Sequence, residues 1–196
     1  AKLLHNNFYE IIVAPKFNNV SLETLKSKKK LIIINSRDLK ENNNKDFKSV
    51  NSGTLYQDFN SYKISKSKIK LVSKKKSPDK ILDDLIFAYK VAKHVKSNAI
   101  VLAKNKQILG IGAGQMSRLD STKIAIMKYK QFFNKKSFVC ASDAFFPFTD
   151  NLKKLLKFKC SGVIQPSGSI NDSKMISYAN KKNLSLYFIK NRVFKH

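Results

Sequence analysis

Short apolar runs alternate with amphipathic segments along most of the chain. The apolar runs lie at 10–15, 30–35, 98–104, 107–113, 137–142, 160–165 and 184–189. Their continuous hydrophobicity predicts strands that are mostly buried on both faces. Helices are predicted between them at 21–27, 77–95, 117–133, 149–158 and 171–182. Because strands and helices alternate, we expect an α/β fold with a parallel or mixed sheet and flanking helices.

The segment 77–95 carries the clearest helical pattern. Ser77 is expected to cap this helix and Pro78 to occupy its first position. The apolar face consists of Ile81, Leu85, Tyr89 and Ala92. The helices at 149–158 and 171–182 also open on residue types that commonly cap helices.

Residues 36–76 interrupt the regular pattern. This segment is rich in Lys and Asn and contains only short alternating stretches, so we expect irregular strands and loops. It would connect a first α/β portion to a second. The sequence therefore predicts a division into residues 1–76 and 77–196.

The large net charge does not by itself indicate a nucleic-acid-binding protein. The chain has 196 residues and a net charge of +26, from 39 basic and 13 acidic side chains. The basic residues are spread evenly, and only Arg37, Arg118 and Arg192 are arginines. Proteins that bind bases and phosphates favour Arg. The excess of Lys therefore indicates the compositional bias of an AT-rich genome rather than nucleic-acid binding. A basic nucleic-acid-binding module remains the alternative from another functional class.

Composition also bears on compartment and metal. The sequence has no apolar run of the roughly 18–20 residues that a membrane helix needs and no signal-peptide pattern, so we expect a cytoplasmic protein. Cys140 and Cys160 lie in apolar surroundings, where we expect reduced, buried thiols. No CxxC pair or comparable ligand set is present, so no metal is expected.

Two loops follow predicted strands and lead into predicted helices. In GIGAGQMSR (110–118) the glycines permit a tight turn and close approach of a ligand, and a helix N-terminus favours anions. Ser117 stands where the dinucleotide-binding fingerprint needs its third glycine. The residues alone leave a substrate role and a plain turn open, and Arg118 favours the former. QPSGSIND (165–172) favours a plain turn on its own.

Two further stretches are candidates for chemistry. SDAFFPFTDN (142–151) places three phenylalanines and a proline on a turn between two acidic residues. Lys93 and His94 form a tempting catalytic pair, but they stand at the end of a helix, where cations are favoured by the helix dipole. Asn98, at the start of the next strand, is better placed for an active site.

Taken together, these stretches resemble a known family. HVKSNAIVLAK, GIGAGQMSR, SDAFFPFTDN, GVIQPSGSIND and NRVFKH occur in the order and approximate spacing of the aminoimidazolecarboxamide ribonucleotide (AICAR) transformylase domain of the bifunctional purine biosynthesis enzyme. FYEIIVAPKF, near the start of the chain, is similar to that domain too.

The resemblance implies a fold and an activity. It implies a cytidine-deaminase-like α/β fold without zinc, and a homodimer whose sites lie between subunits. The reaction is transfer of a formyl group from 10-formyltetrahydrofolate to the amine of AICAR, in the synthesis of inosine monophosphate (IMP). The division at residue 76 would then separate the end of the first transformylase subdomain, with its connector, from the second subdomain.

The resemblance also assigns residues motif by motif. Asn98 matches a polar residue at the transfer centre. The residues implied to bind the nucleotide are Gln115, Ser117, Arg118, Phe145 and Arg192. Those implied to bind the folate are Pro147, Phe148, Asp150 and Asn151. A flat pterin packs against aromatic rings and needs an acceptor for its N–H groups. The aromatic turn (residues 142–151) would supply both.

The chain departs from the family pattern in one important way. The family's Lys-His pair lies in an upstream KHxNP-type motif, which this sequence lacks, and the cyclohydrolase domain is absent as well. The AICAR amine is a weak nucleophile that needs a proton acceptor. We therefore expect an incomplete transformylase that is inactive without the missing upstream half, or a non-catalytic remnant.

Overall fold

The computed structural model describes residues 1–39, 45–58, 60–133 and 136–196. Its internal contacts divide the chain into two compact units, Ala1–Ser61 and Tyr62–His196. The subdomain boundary expected after residue 76 stays a prediction, because it refers to the family's architecture rather than to contacts within this chain.

The first unit contains two small sheets. Its elements are α1 (Lys2–His5), β1 (Ile11–Ala14), α2 (Asn19–Lys26), β2 (Ile32–Asn35), β3 (Lys45–Val50) and β4 (Gly53–Asp58). β1 pairs with β2 in parallel, and β3 pairs with β4 as an antiparallel hairpin. Both strands and the helix predicted before residue 36 are confirmed. Residues 40–44 and 59, in the segment predicted to be irregular, lie outside the described residues.

The expected burial of β1 and β2 on both faces was wrong. Ile11, Val13 and Ile32 are 51, 55 and 56% exposed. Parallel sheets are normally covered on both faces by helices. In the described part of this unit only two strands form the parallel sheet, and the two short helices cannot cover both of its faces.

The second unit is a mixed sheet between helices. Its elements are β5 (Ile69–Leu71), α3 (Asp79–Ala92), β6 (Ile100–Lys104), β7 (Gln107–Gly112), α4 (Arg118–Phe133), β8 (Phe138–Ser142), α5 (Asp150–Leu156), β9 (Cys160–Pro166), α6 (Asp172–Lys181) and β10 (Ser185–Ile189). The strand order is β5-β10-β9-β8-β6-β7. β8, β9 and β10 run parallel, whereas β5, β6 and β7 pair antiparallel to their neighbours. The predicted α/β fold with a mixed sheet is confirmed.

The sheet has a hydrophobic core on each face. Along β6, Ile100 and Leu102 point into the core shared with α4, α5 and α6, while Val101 and Ala103 point into the core beneath α3. This alternation follows from the two-residue period of a strand. All four residues are fully buried, as the apolar run predicts for a central strand.

The N-cap predicted for α3 was wrong, whereas Thr149 and Asn171 are the N-cap residues of α5 and α6 as predicted. Pro78, not Ser77, is the N-cap of α3, and the Ser77 backbone N–H donates to the Tyr187 hydroxyl at 3.1 Å. Thr149 and Asn171 precede α5 and α6 without a side-chain capping bond. Asn171 instead donates its side-chain amide to the Pro147 carbonyl, which fixes one loop to another.

Two glycines of the GIGAGQMSR stretch serve packing rather than a turn. A Cβ on Gly110 would lie 2.2 Å from the Ala125 carbonyl oxygen, and one on Gly112 would lie 1.8 Å from that of Ser121. Only glycine therefore allows α4 to lie this close to β7. The turn itself uses Gly114, whose φ is +65°.

The turn between β6 and β7 is held by a buried carboxylate. Asn105 and Lys106 have φ values of 51° and 56°. Asp84 of α3 is 2% exposed and accepts both of their backbone N–H groups at 2.8 Å. One side chain thus satisfies two donors and ties α3 to the hairpin.

Two further expectations concern thiols and membranes. Cys140 and Cys160 are free and buried, as expected. Burial raises the pKa of Cys160 to about 12 and the pKa of Cys140 well above its ordinary value. Among the described residues, no helix is both long and apolar enough to cross a membrane.

Candidate substrate site at one edge of the sheet

The topology brings five chain segments to one edge of the second unit's sheet. β8, β9 and β10 are parallel, so the residues that follow them leave the sheet at the same edge. β6 is antiparallel to β8 and begins there, with Ile100 opposite Ser142. β7 ends beside it, with Gly112 opposite Ile100. Ligands in α/β sheets bind at such carboxyl-terminal edges.

Asp143 is the residue that joins these segments. It directly follows β8 and is fully buried. Its Oδ2 accepts the Ser97 hydroxyl at 2.6 Å, and its Oδ1 lies 3.3 Å from Nη2 of Arg118. Its backbone N–H donates to Ala99, and its carbonyl accepts the N–H of Val193. One aspartate thus connects the start of β6, the start of α4 and the C-terminal segment.

Arg118 is held with one donor unused. Its side chain is only 16% exposed, and Asp143 balances its charge. Its guanidinium carbon lies 5.7 Å from the centre of the Phe194 ring. Its Nε is buried without a hydrogen-bond partner. A buried donor without a partner is unusual, because leaving it unpaired costs free energy.

The C-terminal segment carries the second arginine. The Arg192 guanidinium carbon lies 4.8 Å from the centre of the Phe145 ring, a cation–π contact. Hydrogen bonds fix the residues that follow Arg192, from the Val193 N–H to the Asp143 carbonyl and between Lys195 and Ser97. The structure therefore ties Arg192 and Arg118 to the same loop, residues 143–149.

Asn98 is anchored at the centre of this edge. Its side-chain amide donates to the Gln115 carbonyl at 2.7 Å, and its own carbonyl accepts the Ser121 hydroxyl at 2.7 Å. The peptide bond between Ser97 and Asn98 is cis. The bonds to Gln115 and from Ser121 link the start of β6 to the loop before α4 and to α4 itself.

Gln115 and Ser117 shape the loop before α4. The Gln115 side-chain amide donates to the Ala113 carbonyl at 3.0 Å. Ser117 exchanges bonds with Asp120, accepting its N–H and donating its hydroxyl to Oδ2. Hydrogen bonds from Lys123 and then from Ser117 lower the pKa of the Asp120 carboxyl. In this structure Ser117 acts as the first-turn cap of α4.

The aromatic turn divides into buried and exposed parts. Phe146 is fully buried in the core, whereas Phe148 is 65% exposed. Phe145, Pro147 and Asp150 are half-buried. Phe148 is therefore the exposed ring of this turn, two residues before the half-buried Asp150.

Asn151, unlike the other predicted site residues, is almost fully buried. It is 1% exposed, and its side-chain oxygen accepts the buried Thr122 hydroxyl at 2.8 Å. Its amide nitrogen donates to Asp150 at 3.1 Å. Asn151 is therefore placed to orient the Asp150 carboxylate, and its side chain does not reach the surface.

Sequence reasoning missed two buried polar residues at this edge, Asp143 and Gln165. Gln165 is fully buried; it accepts the Phe146 N–H, and its amide nitrogen has no hydrogen-bond partner. A polar side chain within an otherwise apolar strand run was the available signal. Within the described residues, no group of three or more His, Cys, Asp or Glu side chains could hold a metal ion.

Comparison with known proteins identifies the family. A family model for the AICARFT/IMPCHase bienzyme matches residues 1–128. The chain belongs to this family. The match confirms the resemblance that the sequence motifs indicated. It ends before the aromatic turn, which only comparison with individual relatives reaches.

Relatives of the bienzyme family align with the whole chain. "Bifunctional purine biosynthesis protein PurH" of Wigglesworthia glossinidia brevipalpis is 45% identical over 99% of this chain. The proteins of the same name from Fusobacterium nucleatum subsp. nucleatum and Buchnera aphidicola subsp. Schizaphis graminum are 44% and 40% identical over all of it. The chain covers only 37–38% of these relatives' lengths. The roles of the individual site residues stay predictions.

Proposed function

We propose that this chain is the part of a bifunctional purine biosynthesis enzyme that binds AICAR and 10-formyltetrahydrofolate for formyl transfer. The observation that carries the proposal is Arg118. It is a nearly buried guanidinium, oriented by a buried carboxylate, with a donor left unpaired. Such an arrangement suits recognition of an anionic or polar ligand, for which Arg is better than Lys.

The nucleotide would be held between the two arginines. Arg192, stacked on Phe145, is exposed enough to meet a phosphate. Gln115 and Ser117 would shape the wall of the nucleotide site through the loop that they order. Asn98 would stabilise charge on the formyl oxygen or orient the attacking amine.

The folate would lie against the aromatic turn. Phe148 offers an exposed ring for the pterin, and Pro147 is fixed by the bond from Asn171. Asp150 would accept pterin N–H groups, with Asn151 holding its carboxylate in place. This arrangement separates the two ligands while keeping them at one edge of the sheet.

The finer family features belong to the same proposal. They are a cytidine-deaminase-like fold that works without zinc, a homodimer with shared sites, and a cytoplasmic location. Catalysis would need the Lys-His pair of the upstream half. We therefore expect the chain alone to bind both ligands but to transfer little or no formyl group.

Calorimetric titration of the purified chain with AICAR tests the binding role. Arg118→Lys keeps the charge but loses the rigid fork, so we expect AICAR binding to weaken about tenfold or more. Arg37→Lys, in the first unit, is the matched control and should change nothing. Equal losses in both variants, or no AICAR binding by the wild-type chain, would overturn the assignment.

A formyl-transfer assay tests the catalytic half of the proposal. The chain is assayed with AICAR and 10-formyltetrahydrofolate, alone and with extract from its own source. Activity only with extract supports a split site, and turnover by the chain alone contradicts the need for an upstream base. Salt-sensitive DNA binding without AICAR binding would favour the nucleic-acid alternative instead.

A further inference from the structure

A second cavity lies in the same unit, beside the C-terminal end of α3. Its volume is about 370 Å³, within the range of small-molecule sites. It is lined by Tyr62, Lys63, Ile64, Tyr89, Lys90, Lys93, His94 and Val193. None of the residues proposed above to bind AICAR or folate lines it.

The floor of this cavity is apolar. Ile64, Tyr89 and Val193 are 9, 1 and 1% exposed, and the half-buried Tyr62 ring forms a wall. The Tyr89 hydroxyl donates to the Asn191 carbonyl, and burial raises its pKa well above the ordinary value. The floor therefore presents ring and methyl surface rather than an ionised group.

The rim of the cavity is cationic. It carries Lys63, Lys90, Lys93 and His94, and no carboxylate from the described part of the chain lines the cavity. Among the described residues, neither Lys63 nor Lys90 forms an ion pair with an acid. The dipole at the end of α3 opposes an anion with about half a charge, which Lys63 and Lys90 together outweigh. Lys68 lies 4.7 Å from the centre of the Tyr62 ring and adds to the positive field.

We propose that this cavity binds a small aromatic anion. The planar ring packs against Tyr62 and the apolar floor, and the phosphate or carboxylate meets the rim lysines. Apolar lining with a few converging charged groups is the usual composition of a ligand site. The site rests on this geometry alone and does not depend on formyl transfer.

The cavity shares a chain segment with the candidate substrate site. Val193 forms part of its floor, while the preceding Arg192 covers Phe145 on the substrate side. Neighbouring residues of an extended segment point to opposite sides. A ligand in the cavity therefore contacts the chain segment that also carries Arg192.

Methyl NMR of the full chain, labelled at Ile and Val methyl groups, tests the proposal. The probe is phenyl phosphate, with benzoate as the carboxylate arm and inorganic phosphate as the anion without a ring. We expect saturable shifts at Ile64 and Val193, with little change at the exposed Ile170. Ile64→Val and Val193→Ile assign the two signals.

Two double variants distinguish a specific binding site from nonspecific attraction of the anion to a positively charged surface. Lys63→Ala/Lys90→Ala should weaken phenyl phosphate binding about tenfold, as expected when two screened charge contacts are lost. Lys128→Ala/Lys157→Ala removes the same charge from exposed positions outside the cavity and should leave binding unchanged. Arg118→Lys should also leave the Ile64 shift intact, whatever becomes of AICAR binding.

Three results would overturn the proposal. The first is absence of a saturable shift at Ile64 with both aromatic probes. The second is equal weakening in the two double-lysine variants, which would indicate a general charge effect. The third is an equal response to inorganic phosphate, which would show that the ring contributes nothing. Thermal unfolding of each variant checks that its fold is intact.

Discussion

Replacing Asp143 by Asn gives the sharpest test of how the candidate site is held together. The change keeps the shape of the side chain but removes the negative charge that faces Arg118 at 3.3 Å. The Ser97 hydroxyl keeps an acceptor only if the new amide turns its oxygen toward it. The guanidinium then remains nearly buried without a counter-charge.

The expected cost follows from burial. Asp143 is 0% and Arg118 16% exposed at the side chain, so solvent screens the pair weakly. Breaking a buried ion pair by removing one partner costs about 3–5 kcal/mol. Because Asn retains one acceptor, we expect a loss of about 3 kcal/mol in the free energy of unfolding. For a chain of this size that corresponds to a fall in Tm of about 6–12 °C.

Urea unfolding followed by circular dichroism measures the loss. The control is Asp83→Asn, which breaks the pair with Lys66 at 2.9 Å, where the side chains are 42% and 52% exposed. Exposed pairs contribute about 0–1 kcal/mol. Equal destabilisation by the two substitutions would refute the claim that Asp143 and Arg118 form a buried unit. AICAR binding, measured in parallel, should fall only for Asp143→Asn.

Three more predictions concern packing, turn and thiols. Gly112→Ala should lower the free energy of unfolding in urea by about 2 kcal/mol or more, because the added Cβ would lie 1.8 Å from backbone of α4. The control is Gly53→Ala, whose Cβ would meet nothing within 4 Å and should change that free energy by less than about 0.5 kcal/mol. Asp84→Asn should cost about 1–3 kcal/mol and speed amide hydrogen exchange in the β6–β7 turn, because a carboxylate that accepts two N–H groups is lost. The thiols should resist Ellman's reagent at pH 8 until the chain unfolds. Because burial raises the pKa of Cys160 from 9.0 to about 12, stability should fall as pH rises above about 9, where only the unfolded thiol ionises.

Each of these predictions has a contrary outcome. Equal free energies of unfolding for Gly112→Ala and Gly53→Ala would mean that α4 shifts to accommodate the added Cβ without loss of stability. Unchanged exchange in the turn would mean that water replaces the Asp84 carboxylate. Rapid thiol reaction in the native protein would contradict the burial of the cysteines.

The sequence predicted the second unit better than the first for a physical reason. Strands such as β6 and β8 are buried on both faces, and such strands consist of continuous apolar runs. The runs at β1 and β2 have the same composition, yet Ile11 and Ile32 are more than half exposed. Apolar composition specifies a strand, but it does not specify what covers the strand. What covers a strand depends on elements distant in sequence, which a local pattern of residues does not include.

The candidate site shows the same limit at the level of single residues. Scarcity of arginine drew attention equally to all three arginines, including Arg37, and it was the resemblance to the family that assigned Arg118 and Arg192 to the nucleotide. Asp143 borders the aromatic turn in the sequence, but it was not predicted as a site residue. Its partner Ser97 is 46 positions away. A buried acid reveals its role only when its long-range partners are known, and periodicity carries no information about them.

The C-terminal segment explains why the edge of the sheet can act as one site. β10 is separated in the sheet from β6 by β9 and β8, so strand pairing alone does not bring its end to Asn98. The backbone bonds of Val193 to Asp143 and of Lys195 to Ser97 bridge that distance. They turn the chain back across the ends of the intervening strands. Arg192 is thereby carried to the aromatic turn, and an anion bound there would be enclosed by segments almost a hundred residues apart in sequence.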